Sequence, residues 1–169
     1  WHRTRTVDAS LHVLGSLDHE VSRRGAYVAY LGSGELPVKV RVLGDRPLAP
    51  GETGPVRLHL PHLVPLRPGD RFVLRESGRK ETVGGGEVLD VAPVLPAARA
   101  RPDRSVDRVI RERGFVEVAE LERLTGERRP ANLGSWVVDP DLLAALRDEV
   151  AALIADAGDR KSTRLNSSH

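Results

Sequence analysis

The 169-residue chain has no cysteine, which excludes disulfides, thiolate metal sites and cysteine nucleophiles. It has no methionine either, and it opens on Trp1, a start that predicts the cut end of a longer chain. Lysine is nearly absent, while Arg, Ala, Val, Leu, Gly and Pro abound. That usage looks like the codon bias of a GC-rich genome and carries little function. No apolar run approaches the ~20 residues that a membrane-spanning helix needs, and no signal-peptide pattern opens the chain. Catalytic signatures are equally scarce: there is no GxSxG, no HExxH and no closely spaced carboxylate dyad. His2, His12, His19, His59 and His62 are scattered. His59 and His62 stand three apart, but on a strand entering a proline-rich loop and without an acidic partner at metal-ligand spacing. The residues therefore predict no catalytic group, no metal site and no cofactor site in this chain.

Charge is uneven along the chain. Residues 1–98 carry a net +2, residues 99–158 a net −2, and residues 159–169 a net +2. The last stretch, DRKSTRLNSSH from Asp159 to His169, resembles the in-frame translation of a sequencing-library adapter. Residues 158–169 are therefore expected to be an artefact tail without biological content. The competing reading takes Lys161 and Arg164 as a basic RNA-binding tail.

Up to about residue 90 the hydropathy alternates with period two. Ala9, Leu11 and Val13 share one face, with Asp8, Ser10 and His12 on the other. Val38, Val40 and Val42 alternate with Lys39 and Arg41, and Val56, Leu58 and Leu60 with Arg57 and His59. Phe72 and Leu74 share a face. This is the pattern of half-buried antiparallel strands. Turn residues separate them at Gly32-Ser33-Gly34, Pro50-Gly51 and Pro68-Gly69-Asp70. The expectation for residues 1–95 is a small antiparallel six-stranded β-barrel.

Residues 96–103 lie within a Pro/Ala/Arg linker, whose prolines cannot join a central strand. From residue 104 to 157 the period turns helical. Asp103 or Ser105 can cap a helix carrying Val106, Val109 and Ile110, ended by Gly114. A second helix carries Val118, Leu121 and Leu124 and stops at Gly126. A brief strand contains Trp136. Asp139-Pro140 then opens a helix with a stripe of Leu142, Leu146, Val150 and Leu153. Helix, helix, strand, helix suggests a winged-helix module, so the fold class is mainly β plus α. Glu117, Glu120 and Glu122 against Arg123 give the second helix the wrong sign for a DNA groove, which favours a spacer or protein-contacting role.

Residues 71–91, RFVLRESGRKETVGGGEVLDV, join a strand, a charged turn and a glycine triplet. A phosphate-binding P-loop needs its glycines between a strand and a helix, followed by Lys-Ser/Thr. Gly84, Gly85 and Gly86 lie instead between Val83 and Val88, and are expected to let a strand coil at a barrel corner. The turn ESGRK projects Arg79 and Lys80. Composition favours a solvated tip; the other reading is contact with a phosphate backbone, with Gly78 permitting close approach.

The stretch RPGDRFVLRESGRKETVGGGEVLDV resembles the closing hairpin of the third domain of elongation factor Tu-like translation factors. The shared order is Gly69-Asp70, a strand, the turn Arg75-Glu76-Ser77-Gly78-Arg79, and Thr82-Val83-Gly84-Gly85-Gly86. The tract SRRGAYVAYLGSGELPVKVRVL fits the same barrel. A Pro/Arg linker and a winged-helix module after it are similar to the bacterial selenocysteine-specific elongation factors (SelB). The resemblance covers residues 1 to about 157. It implies a cytoplasmic, monomeric factor that binds GTP and Mg²⁺ in a domain expected before Trp1. It further implies that the parent delivers selenocysteinyl-tRNA to the ribosome at recoded UGA codons and grips an mRNA hairpin through distal winged helices. In the wider family the R-E-x-G-R turn approaches the tRNA T-stem backbone, which lands on Arg75, Gly78 and Arg79, with Lys80 as a neighbouring candidate. Ser77 stands where the family has glycine, and Lys80-Glu81 lengthen the return. The alternative is a winged-helix DNA-binding regulator with a barrel sensor domain.

Overall fold

The computed structural model describes residues 1–32 and 34–167, with side chains as far as Lys161. Ser33, part of the expected Gly32–Gly34 turn, lies outside the described residues, as do Ser168 and His169 of the tail and the side chain of Arg164.

Six strands form the first half: β1 (His2–Val13), β2 (Tyr27–Leu31), β3 (Gly34–Val42), β4 (Thr53–Leu66), β5 (Arg71–Glu76) and β6 (Glu81–Asp90). They close into a barrel in the order β1-β4-β3-β2-β5-β6, with every pairing antiparallel. Closure leaves the sheet without a free edge. The alternating apolar positions fill the interior: Val7, Ala9, Leu11, Val13, Val56, Leu58, Leu74, Val83 and Val88 are fully buried.

Two outward positions depart from the alternation. Asp8 and Arg57, expected on the solvated face, are buried, because the segment after β6 folds back across them. Arg57 donates to Asp8 twice, Nε to Oδ1 at 2.7 Å and Nη2 to Oδ2 at 3.0 Å, and Nη2 also donates to the Leu95 carbonyl at 2.9 Å. The hydrogen bond to Asp8, against the cost of burial, holds the Arg57 guanidinium above its ordinary range. The proline-rich linker thus lies against the barrel, where Ala97 and Ala100 bury with Leu43.

The second half runs α1 (Val106–Arg113), β7 (Phe115–Glu117), α2 (Val118–Thr125), β8 (Trp136–Val138) and α3 (Pro140–Ser167). The fold is therefore a closed six-stranded β-barrel with three helices. Ser105 caps α1, its hydroxyl accepting from the Arg108 amide at 3.2 Å. Gly114 and Gly126 end α1 and α2 at φ +78° and +77°. Val106, Val109, Ile110, Val116, Leu121 and Val137 make a small second core. Leu124 leaves that stripe and joins the barrel core instead.

Three expectations need correction here. A three-residue strand, β7, pairs with β8 between the first two helices. In α3, Leu143 buries and Leu142 is half-buried, whereas Leu146, Val150 and Leu153 are exposed. The helix also runs without a break past residue 157 to Ser167.

Arginines tie the halves together: Arg113 Nη2 donates to the Ala92 carbonyl at 2.7 Å, and Arg108 makes the larger set of bonds. Arg108 of α1 donates through Nη1 to Asp90 of β6 at 3.0 Å and to Glu112 at 2.8 Å. It also donates through Nε to Asp103 at 2.8 Å. Burial opposes its charge, but the bond to Asp103 and the charges of Asp90 and Glu112 outweigh that and raise its pKa. Asp90 stands opposite Asp8 in the β1–β6 ladder, so the two buried arginine–carboxylate pairs are neighbours.

Candidate nucleic-acid interface

The β5–β6 hairpin brings Arg75, Gly78, Arg79 and Lys80 to one tip. A register shift between Leu74 and Arg75 bends the hairpin as it leaves the barrel. Lys80 takes φ +51°, the left-handed turn conformation that a non-glycine residue adopts at some strain. Arg75 braces the turn from within, donating from Nη2 to the Lys80 carbonyl at 2.9 Å. No atom lies within 4 Å of where a Gly78 side chain would begin, so the backbone there is open to approach. The Lys80 ammonium makes no ion pair among the described residues, and Lys80 is exposed.

The tip does not stand free. Ser77 docks it on the β1–β2 loop, its amide and hydroxyl donating to the Ala26 carbonyl at 2.9 and 3.1 Å. Arg79 lies 3.3 Å from Asp18 Oδ1 and 3.0 Å from the Nδ1 of His19. His19 sits between two carboxylates, Nδ1 at 2.8 Å from Asp18 and Nε2 at 2.6 Å from Glu76. With an acceptor facing each ring nitrogen, the ring is suited to donate on both sides as an imidazolium. Arg79 then shares the Asp18 carboxylate with the ring. Nothing in the sequence linked Asp18 and His19 to this turn, because Asp18 and Arg79 stand 61 positions apart; Glu76 was visible only as a member of the turn motif.

The hydrogen bonds to Asp18 and Glu76 raise the His19 pKa above the ordinary histidine value. The bond from His19, against a small desolvation cost, lowers that of Asp18. A raised histidine stabilises fully below its unfolded value and loses that contribution as pH climbs through the folded one. A lowered carboxylate contributes above its unfolded value and loses it as pH falls through the folded one. The clamp is therefore strongest between the ordinary carboxylate and histidine ranges. Titration of the His19 ring by NMR should show a pKa above that of a model peptide, and Asp18→Asn should bring it down. An unshifted ring in the wild-type chain would mean that the two carboxylates do not hold it.

Gly84, Gly85 and Gly86 lie inside β6, hydrogen-bonded between β5 and β1, with no helix following them. Backbone amides held in two strand ladders do not converge at a helix start as a P-loop's do. A Cβ at Gly84 would lie 2.0 Å from the His12 carbonyl oxygen, and one at Gly86 1.7 Å from that of Ser10. At this point on the wall the backbones of β1 and β6 approach too closely for a side chain. Over the same strands an open groove of ≈ 710 Å³ is lined by residues including His12, Tyr30, Arg71 and Glu87. Among the described residues no group of three or more His, Cys, Asp or Glu is placed to hold a metal ion. Nor is any described helix long and apolar enough to cross a membrane.

No protein-family model matches the chain, and no curated protein matches its sequence. Among solved structures the chain is similar to the crystal structure of a bacterial selenocysteine-specific elongation factor, at a TM-score of 0.62 and 15% identity. The similarity covers 90% of this chain and 27% of that one. The barrel has the fold of one in a translation elongation factor. At this identity the likeness shows the fold, and the chain spans about a quarter of the other protein's length.

Proposed function

We propose that this chain is the third-domain barrel and the first C-terminal winged-helix module of a selenocysteine-specific translation elongation factor. Its part is to contact the tRNA backbone, to pack against neighbouring domains and to form an arm toward mRNA-binding winged helices. One observation carries this reading: the likeness to the selenocysteine-specific factor covers 90% of the chain, which reaches well past the end of the barrel at Asp90. The order helix, strand, helix, strand, helix after the barrel supports the winged-helix reading. The exposed cationic turn supports backbone contact, since Arg and Lys neutralise phosphate without reading sequence. On this reading the partners are selenocysteinyl-tRNA and the ribosome, in the cytoplasm. GTP and Mg²⁺ belong to another domain of the parent, and no catalytic step falls to these residues.

The test is binding of this chain to selenocysteine tRNA across a salt series. The wild-type chain should bind weakly and lose affinity steeply with salt. Arg79→Ala/Lys80→Ala should weaken binding about tenfold near 0.1 M salt and flatten the slope of log K against log salt by about 2. Unchanged affinity and slope in the double variant would leave the tip a solvated turn. Preference for duplex DNA over tRNA would favour the DNA-binding regulator instead.

A further inference from the structure

The outward faces of β3 and β4 carry an arrangement that the hairpin does not use. In the β3–β4 ladder Lys39 stands opposite His59, and Arg41 opposite Arg57. Like charges directly opposite one another destabilise a sheet, and acidic cross-strand partners would relieve them. Arg57 has such a partner in Asp8, buried on β1. Lys39 and Arg41 have none: both are exposed, and neither makes an ion pair or side-chain hydrogen bond among the described residues. Arg5, also exposed, lies over β4 with its guanidinium on the Pro61 carbonyl at 2.7 Å. The acid on the same outward register of β3, Glu35, sits toward the start of the strand and accepts from the Tyr30 hydroxyl. The ring of His59 reports the local field. Burial lowers its pKa first, and the cations Arg57, Arg41 and Lys39 lower it further.

We infer that Lys39, Arg41 and Arg5, with the uncharged His59 ring as a hydrogen-bonding group among them, form a second cationic face that binds the phosphate backbone of a nucleic acid, separate from the hairpin tip. The barrel order sets the two apart. In the ring β1-β4-β3-β2-β5-β6, β4 stands three strands from β5 in either direction, and β3 three from β6. Lys39, Arg41 and His59 therefore lie across the ring from the hairpin strands, with Arg5 of β1 reaching over β4 at their edge, and one chain can hold two backbones at once. A backbone suits this face better than an acidic protein does. Protein partners anchor through buried aromatic or apolar side chains, whereas phosphates need only charge and donors. The outward positions Lys39, Arg41 and His59 themselves carry no apolar anchor; the exposed apolar residue of β4, Leu63, stands farther along the strand.

This inference goes beyond the tRNA reading, and the test separates the two. The full chain, its Lys39→Gln/Arg41→Gln variant and its Arg79→Ala/Lys80→Ala variant are titrated with a 20-base-pair RNA duplex and with a tRNA transcript across a salt series. The glutamine variant should lose about tenfold in affinity for at least one RNA, with a salt slope flatter by about 1.4 to 2. Its melting temperature should stay level or rise, because the like-charge Arg41–Arg57 pair has been removed. The wild-type chain should also bring two differently labelled RNAs into one complex, and either double variant should abolish that bridging. If the alanine variant weakens binding while the glutamine variant binds with unchanged slope, the second face is overturned and the hairpin reading stands. The reverse result sinks the hairpin and keeps the face. A wild-type chain that binds neither RNA at low salt overturns both.

Discussion

Gly86→Ala should cripple the barrel, although it adds a single methyl group. The new Cβ would lie 1.7 Å from the Ser10 carbonyl oxygen and 2.8 Å from its carbon, both backbone atoms. A flexible side chain could swing aside; a backbone held in the β1–β6 ladder cannot move without parting the strands that close the ring. Overpacking of a rigid site costs about 1–3 kcal/mol or more, and lost ladder hydrogen bonds add to it. A penalty near ~3 kcal/mol in a chain of this size lowers the melting temperature by roughly 6–12 °C. Gly84→Ala, 2.0 Å from the His12 oxygen, should behave alike. Gly78→Ala is the control: nothing lies within 4 Å of its Cβ, so its melting point should stay within a degree or two of wild type. Thermal melts followed by circular dichroism would decide. A Gly86→Ala chain melting with the wild type would mean that β6 does not press on β1 as described.

Arg108→Ala should be the most damaging change in the helical half. The substitution strands Asp90, which is 5% exposed, beside Asp8, which is 2% exposed and already committed to Arg57. Breaking a buried ion pair from one side costs about 3–5 kcal/mol, chiefly because the remaining charge has little solvent and no cation of its own, and the Ala92 amide at 2.8 Å is the donor that Asp90 keeps. Arg123→Ala makes the contrast. Its pairing with Glu120 is at the surface, and losing it should cost less than about 1 kcal/mol. Replacing both ends of the Arg108–Asp90 pair, as in Asp90→Asn/Arg108→Met, should recover only the part of the loss that comes from Asp90, since Glu112 and Asp103 still lose their cation. Calorimetry adds a second readout. Arg108 bridges β6 and α1, so the wild-type chain should unfold in one transition and Arg108→Ala should separate the helical half from the barrel. A variant with the wild-type melting profile would show that the bridge carries no stability.

The barrel was legible because its strands are half-buried, and half-burial writes itself as alternation. Val38, Val40, Val56, Leu58, Phe72 and Leu74 all fell on the inner face. The rule failed at Asp8 and Arg57, whose cover comes from a segment that alternation cannot see: Leu95 lies 38 residues beyond Arg57. Strand β7 escaped because three residues, Phe115 to Glu117, are too few to show any period. The α3 stripe was a true period, but a period shows only which residues share a side, and among the described residues nothing packs over Leu146, Val150 and Leu153. At the candidate interface the cations were visible as a charged turn. Their partners across the loop were not, since Asp18 and His19 reach Arg79 only through the closure of the fold. The cross-strand cations were hidden for a related reason: Lys39 and His59 are twenty positions apart, and only register makes them face.

The folded-back linker has a practical consequence for anyone dissecting this chain. An expression boundary placed just after Asp90 would discard the Leu95 carbonyl that Arg57 uses, the alanines that cover Leu43, and the guanidinium on which Asp90 depends. The smallest piece that keeps every one of those groups ends no earlier than Arg108, and retaining Glu112 as well extends it to the close of α1. What looks in composition like a hinge is the sealing layer of the barrel.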